Sequence, residues 1–191
     1  MRVRDDAKRV AIIEAFVELI NTIGFHQTSI SKTAKKAGVS PATIYIYFEN
    51  KEDMMNKSYI SLKHEMSLAL LKNFDPEAPV IKESFKKIWL NIFNHTKNNY
   101  SHMSFLEQYA HTPLMDSVPH EEVSGFFIEI ISFLERGKKD KILKDMPIDI
   151  LAPFIFKPLF QIYKDYRAEA LNLNDELIEN IFDITWDAIS L

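Results

Sequence analysis

The chain has 191 residues, 23 Lys and Arg against 27 Asp and Glu, a net charge of −4 and no cysteine. The missing thiols exclude disulfides, cysteine-based zinc sites and thiol catalysis, while 47% apolar and 26% charged residues describe a folded globular protein. Four glycines and eight prolines are too few to punctuate many strands, and helix formers dominate, so an all-α fold is expected. The first apolar stretch is interrupted by Glu14 and Glu18 and no run of 18 apolar residues exists, so the expectation is a cytoplasmic protein with no membrane partner. Charge is uneven: residues 1–60 carry 9 basic and 7 acidic side chains, the remainder 14 and 20. A slightly basic end on an acidic body suits a chain whose N-terminal part meets phosphate.

In chain order, Val10, Ile13, Phe16, Val17 and Ile20 recur at spacings of three and four and predict a helix over 5–23, ended by Gly24. A short helix follows over 29–37, capped by Thr28 or Ser29, with Ile30, Ala34 and Ala37 inward and Gly38 as its turn. Ser40 caps a third helix of about seven residues, with Pro41 at its first position, where a missing N–H costs nothing. Asn50 caps a fourth over 51–72, with Asp53 as an acidic relative of the capping box. Two prolines mark a linker over 73–79, and longer, more aromatic helices are predicted over 80–98, 101–111, 120–137, 149–171 and 174–190. Pro158 lies inside the 149–171 pattern, where a kink is expected.

Two short helices around one glycine form a helix-turn-helix pattern, whose second helix enters the major groove of DNA. The third helix offers Ser40, Pro41, Ala42, Thr43, Tyr45 and Tyr47 to one groove. The Thr43 hydroxyl and methyl suit a base edge, the tyrosine phenols suit phosphates, and Lys51 adds a charge at the start of the fourth helix. Val39, Ile44 and Phe48 are the apolar partners that hold this helix in place; two tyrosines at i and i+2 cannot both turn into one core.

Gly24-Phe25, Thr28-Ser29-Ile30, Ala34, Ala37-Gly38-Val39-Ser40, Thr43-Ile44-Tyr45, Tyr47-Phe48 and Asn50-Lys51 resemble, without gaps, the N-terminal signature of the tetracycline-repressor (TetR/AcrR) family, over residues 8–55. The resemblance implies a DNA-binding helix-turn-helix domain at 1–50. It implies a larger helical effector-binding and dimerisation domain at 51–191, with 51–72 as the linking helix. It implies a dimeric transcription regulator, not an enzyme, released from a double-stranded operator by a small molecule and needing no cofactor. Thr28 and Lys32 join the expected DNA contacts, Lys32 as a phosphate ligand. Position 46 is Ile where family members often carry a larger aromatic. A minor-groove role for an arm with Arg2, Arg4, Lys8 and Arg9 is open.

In the C-terminal half Trp89, Phe93, Phe105, Tyr109, Phe126 and Phe160 are the candidate lining of an apolar effector cavity, as the resemblance implies, which suits a hydrophobic effector. An aromatic stripe at helical spacing is equally a core. Glu107 and His111 share a helix face, but spacing marks no third ligand, so no metal is expected. The last helix is apolar on two sides, with Leu177, Ile181, Ile184 and Ala188 on one and Ile178, Phe182, Thr185 and Ile189 on the other. One side is expected to meet the chain's own core and the other a second copy. Two alternatives stay open: a helical enzyme or carrier whose first helices merely pack, and a DNA-binding protein without a ligand. Salt-dependent duplex binding and ligand-dependent operator affinity separate them.

Overall fold

The computed structural model describes residues 6–191, so Arg2 and Arg4 of the expected arm lie outside the described residues. Among the described residues the chain forms ten α-helices, a short 3-10 helix at Pro113–Ser117 and no strand. The helices are α1 (Asp6–Gln27), α2 (Ile30–Ala37), α3 (Pro41–Ile44), α4 (Lys51–Leu70), α5 (Ile81–Asn98), α6 (Tyr100–Ala110), α7 (His120–Gly125), α8 (Ile128–Lys139), α9 (Ile148–Arg167) and α10 (Asp175–Ile189). None is long and apolar enough to cross a membrane. The chain folds as two compact units, one running through Lys63 and taking in Tyr100–His120, the other comprising His64–Asn99 and Glu121–Leu191. Residues 100–120 therefore share a unit with the helix-turn-helix, a grouping that a division at residue 50 does not express.

In the first unit, Ile12, Ile13, Phe16, Val17 and Ile20 of α1 are buried, and α1 packs on α2 and α6. Val10, expected on the same face, is largely exposed. Helical geometry in α1 breaks at Gly24, whose φ of 77° lies where only glycine is at ease. Phe105 of α6 meets Phe16 edge-on at 6.4 Å, and polar contacts flank that core. Asn21 donates to the Ser101 carbonyl at 2.8 Å, Gln108 donates to Asn21 at 2.8 Å, and His102 Nε2 lies 2.9 Å from the Glu14 carboxylate. Between α4 and α6, Tyr109 stacks on Tyr59 at 4.4 Å and donates to Asn56 at 2.6 Å. Asn56 in turn donates to Ser117 at 2.9 Å, which ties the 3-10 helix to α4.

In the second unit α5 presents Phe85, Ile88, Trp89, Ile92 and Phe93 as one buried stripe and packs against α9 and α10. Phe85 and Trp89 meet Phe182 of α10 at 6.1 and 5.6 Å. Lys82 pairs with Asp183 at 3.1 Å and Lys86 with Glu179 along the rim of that contact. Lys144 caps the end of α10 by donating to the carbonyls of Asp187 and Ala188 at 2.9 and 2.8 Å. The helix expected over 120–137 is two helices. Gly125 is a weak helix former, Phe126 and Phe127 close tighter i to i−3 bonds, and α8 restarts at Ile128. α9 stops at Arg167 rather than 171 and continues through both Pro153 and Pro158.

Candidate nucleic-acid interface

The recognition segment is held by local chemistry at both ends. Ser29 caps α2 by accepting from the Lys32 N–H at 3.3 Å. Gly38 ends α2 in the left-handed conformation (φ 67°), its N–H directed to the Ala34 and Lys35 carbonyls. No atom lies within 4 Å of where a Cβ would stand there, so backbone conformation rather than space demands glycine. Ser40 accepts from the Thr43 N–H at 3.2 Å, and the two hydroxyls lie 2.9 Å apart. At the far end Asn50 accepts from the Asp53 N–H and the Asp53 carboxylate accepts from the Glu49 N–H, both at 2.8 Å. That reciprocal pair is the capping box expected from sequence, closed one residue further out.

α3 is shorter than expected, four residues followed by a turn through Tyr47. Ile44 and Phe48 are fully buried and anchor it. Ser40, Pro41 and Ala42 are exposed, Thr43 half-exposed, and Tyr45 is 58% exposed. Ile46, a residue with no assigned contact in the sequence, is 54% exposed beside them. An exposed β-branched side chain on the recognition segment is a surface for a thymine methyl.

Three of the nine residues expected at DNA have side chains used elsewhere. Thr28 is buried and its hydroxyl donates to the Gly24 carbonyl at 2.9 Å, closing the turn after α1. Tyr47, expected at phosphate, is instead buried against Phe48. The Lys51 ammonium donates to the carbonyls of Phe25 and Thr28 at 3.0 and 3.2 Å and lies 3.9 Å from the Phe25 ring centre. It clamps the α1–α2 turn to the start of α4. Lys32 is exposed, and its ammonium donates to the Gln27 carbonyl at 2.8 Å. Lys35 and Lys36 are exposed on the same short helix, which carries no acid; Lys36 pairs with Glu18. The first turn of α4 carries Glu52 and Asp53, which oppose an anion there.

The six aromatic residues expected to line an effector cavity serve two cores. Phe105 and Tyr109 belong to the first unit. Burial, then the neighbouring Tyr59, pushes the Tyr109 phenol up to about 12. Burial also raises Tyr59 and lowers Lys63, whose ammonium lies 5.6 Å from the Tyr59 ring centre. Trp89, Phe93, Phe126 and Phe160 belong to the second unit. Trp89 is fully buried and stacks parallel to Phe93 at 6.0 Å, Phe160 is buried, and Phe126 lies 4.9 Å from the His64 ring.

Residues 12–57 match the model for bacterial regulatory proteins of the tetR family, and residues 80–190 match the tetracycline-repressor-like C-terminal domain. An uncharacterised helix-turn-helix transcriptional regulator of Haemophilus influenzae is 26% identical over 178 residues, 93% of each chain. A TetR-family regulator from Marinobacter aquaeolei superposes with a TM-score of 0.87 at 29% identity, covering 100% of this chain and 99% of its own. FadR of Bacillus subtilis, solved with stearoyl-CoA, shares the fold at a TM-score of 0.73 and 21% identity, covering 92% and 96%. With both domain models matched in order and the recognition turn built as described, the chain belongs to the TetR family of helix-turn-helix transcription regulators and is not an enzyme.

Proposed function

We propose that the protein is a dimeric, ligand-responsive regulator that binds a double-stranded operator through Ser40–Ile46 and is released by a hydrophobic small molecule, acting as a repressor. The observation that carries the DNA part is the exposed run of Ser40, Pro41, Ala42, Thr43, Tyr45 and Ile46 on a segment capped at both ends. Thr43 and Ile46 are the base readers, and Tyr45 and Lys32 are phosphate ligands. A single exposed Lys32 bond to a carbonyl is worth little in water, so the side chain can exchange it for a phosphate.

The effector is read into the second unit, among Trp89, Phe93, Phe126 and Phe160. The FadR structure with stearoyl-CoA supports an effector with a long apolar chain for a chain of this fold. α4 has 20 residues, roughly 30 Å at 1.5 Å per residue, and belongs to both units, so a tilt of this helix can carry the signal. A compound relieves DNA binding only if it prefers the released conformation; a tenfold preference corresponds to about 1.4 kcal/mol.

The test is fluorescence anisotropy on operator duplexes recovered by genome-wide binding-site mapping. Thr43→Ala and Ile46→Ala should each cost roughly 1–3 kcal/mol on the operator, with little change on random duplex. Equal operator affinity for wild type and both variants would remove α3 from the interface.

A further inference from the structure

The recognition segment is defined as much by the side chains it lacks as by those it carries. From Val39 to Phe48 there is no arginine, lysine, asparagine, glutamine, aspartate or glutamate. Direct reading of guanine draws on arginine or lysine, of adenine on asparagine or glutamine, and of cytosine on a carboxylate. The hydroxyls of the segment are partly committed as well. Ser40 accepts from the Thr43 N–H at 3.2 Å, and its oxygen lies 2.9 Å from the Thr43 hydroxyl, so one of the two hydroxyl hydrogens is spent inside the cap. What remains for a groove is largely carbon. Ala42 and Ile46 are exposed and Thr43 is half-exposed, while Ile44 between them is fully buried. The Ile46 N–H donates to the Thr43 carbonyl at 3.2 Å, a 3-10-type bond, and residues three apart eclipse in that geometry. Thr43 and Ile46 therefore share one side of the segment.

We propose that the operator is recognised in the major groove through thymine 5-methyl groups, packed against Ala42, the Thr43 methyl and Ile46, and not through hydrogen bonds to purine edges. This rests on the operator reading above and narrows its chemistry. Phosphate ligands hold the protein on the duplex without regard to sequence, and the methyl contacts choose the base. The thymine methyl is the apolar group that base pairs show in the major groove, so a facet of methyls separates an A·T pair from a G·C pair. Because that methyl lies on one strand, the same facet also tells T·A from A·T. The expected half-site carries thymines at the positions that face Thr43 and Ile46.

The full-length protein is used to select binding sites from a library of duplexes with a random core. The selected sequence is remade in two copies, one with uracil for every thymine and one with the 7-deaza analogue of every purine. The first lacks only the methyls, and the second lacks the N7 acceptors. At one fixed salt concentration, uracil at a single contacted thymine should weaken binding about fourfold, the worth of one methyl group removed from water. The fully substituted uracil copy should lose the product over the contacted positions, and the 7-deaza copy should bind like the original. Thr43→Ser keeps the cap hydroxyl and removes the methyl. It should melt like wild type, bind the thymine duplex about fourfold more weakly and discriminate less against uracil, and Ile46→Ala should do the same. Equal affinity for the thymine and uracil copies, or a larger loss with the 7-deaza copy than with uracil, would overturn the proposal and leave the operator reading intact. Discrimination against uracil that both variants retain in full would assign the effect to duplex shape and overturn it as well. A library from which no sequence is enriched overturns the operator reading, and the proposal with it.

Discussion

Gly137 shows how one residue can be chosen against its own helix propensity. It lies inside α8, where glycine costs about 1 kcal/mol relative to alanine. A Cβ there would meet Leu143 Cδ1 at 2.7 Å and Cγ at 2.9 Å, and Leu143 is itself buried and cannot swing clear. Overpacking of this kind costs roughly 1–3 kcal/mol, so the packing loss wins. Gly137→Ala is expected to lower stability by roughly 1 kcal/mol in urea unfolding, and a gain would show that Leu143 yields freely. Tyr109 makes a pH prediction. Its folded pKa, about 12, lies above the ordinary 10.0, so the folded state favours the protonated phenol. That contribution is complete below pH 10 and disappears as pH rises toward 12. Tyr109→Phe should lose about 1 kcal/mol at neutral pH with the bond to Asn56, yet decline less than wild type between pH 10 and 12. Circular dichroism along a base titration measures both. Neither residue's role was legible in the sequence. Tyr109 read as cavity lining, and nothing in the local pattern marked Gly137, because the partners that define them come from distant segments.

At the scale of the element, caps and turns were the most legible features. Ser29, Gly38, Ser40 with Pro41, and the Asn50–Asp53 pair act on backbone groups within four residues, so their geometry follows from local order alone. Lys51 was less legible. Its spacing suggested a phosphate, but its ammonium is drawn to the Phe25 and Thr28 carbonyls around the α1–α2 turn, 26 and 23 residues earlier. Lys51→Ala should therefore lower the urea midpoint, by about 1–2 kcal/mol of stability for charge-assisted bonds in a partly exposed site, and leave the salt slope of operator binding unchanged. Lys32→Ala should do the reverse: little change in stability and a slope smaller by about one unit. Exchanged outcomes would assign Lys51 to the phosphate and Lys32 to the fold. The length of α3 was overread for a related reason. After Ile44 the burial of Tyr47 and Phe48 takes precedence over further helical turns.

At the scale of the molecule, the second unit leaves an apolar face uncovered. Phe182, Thr185, Trp186 and Ile189 of α10 are buried in the chain's own core. Ile184, on the opposite side, is 70% exposed, and Phe154 on the neighbouring α9 is 56% exposed. Members of the family act as dimers, and a second copy on this face is the proposal the uncovered residues support. Ile184→Glu combined with Phe154→Glu should give a monomer by sedimentation at micromolar concentration while circular dichroism stays helical, since neither side chain is in the core. A dimer that survives both changes would move the interface elsewhere. The sequence by itself determined the fold class, the helix-turn-helix and its caps, and the two-sided character of the last helix. Those follow from periodicities of three and four and from backbone groups satisfied by near neighbours. Only the tertiary structure decided which tyrosine of the recognition segment stays outside, that the Thr28 hydroxyl and the Lys51 ammonium bond backbone carbonyls around the α1–α2 turn, and that Phe105 and Tyr109 pack with α1 and α4. Each of these depends on which distant atoms arrive within hydrogen-bond or van der Waals reach, and chain-local spacing carries no record of that distance.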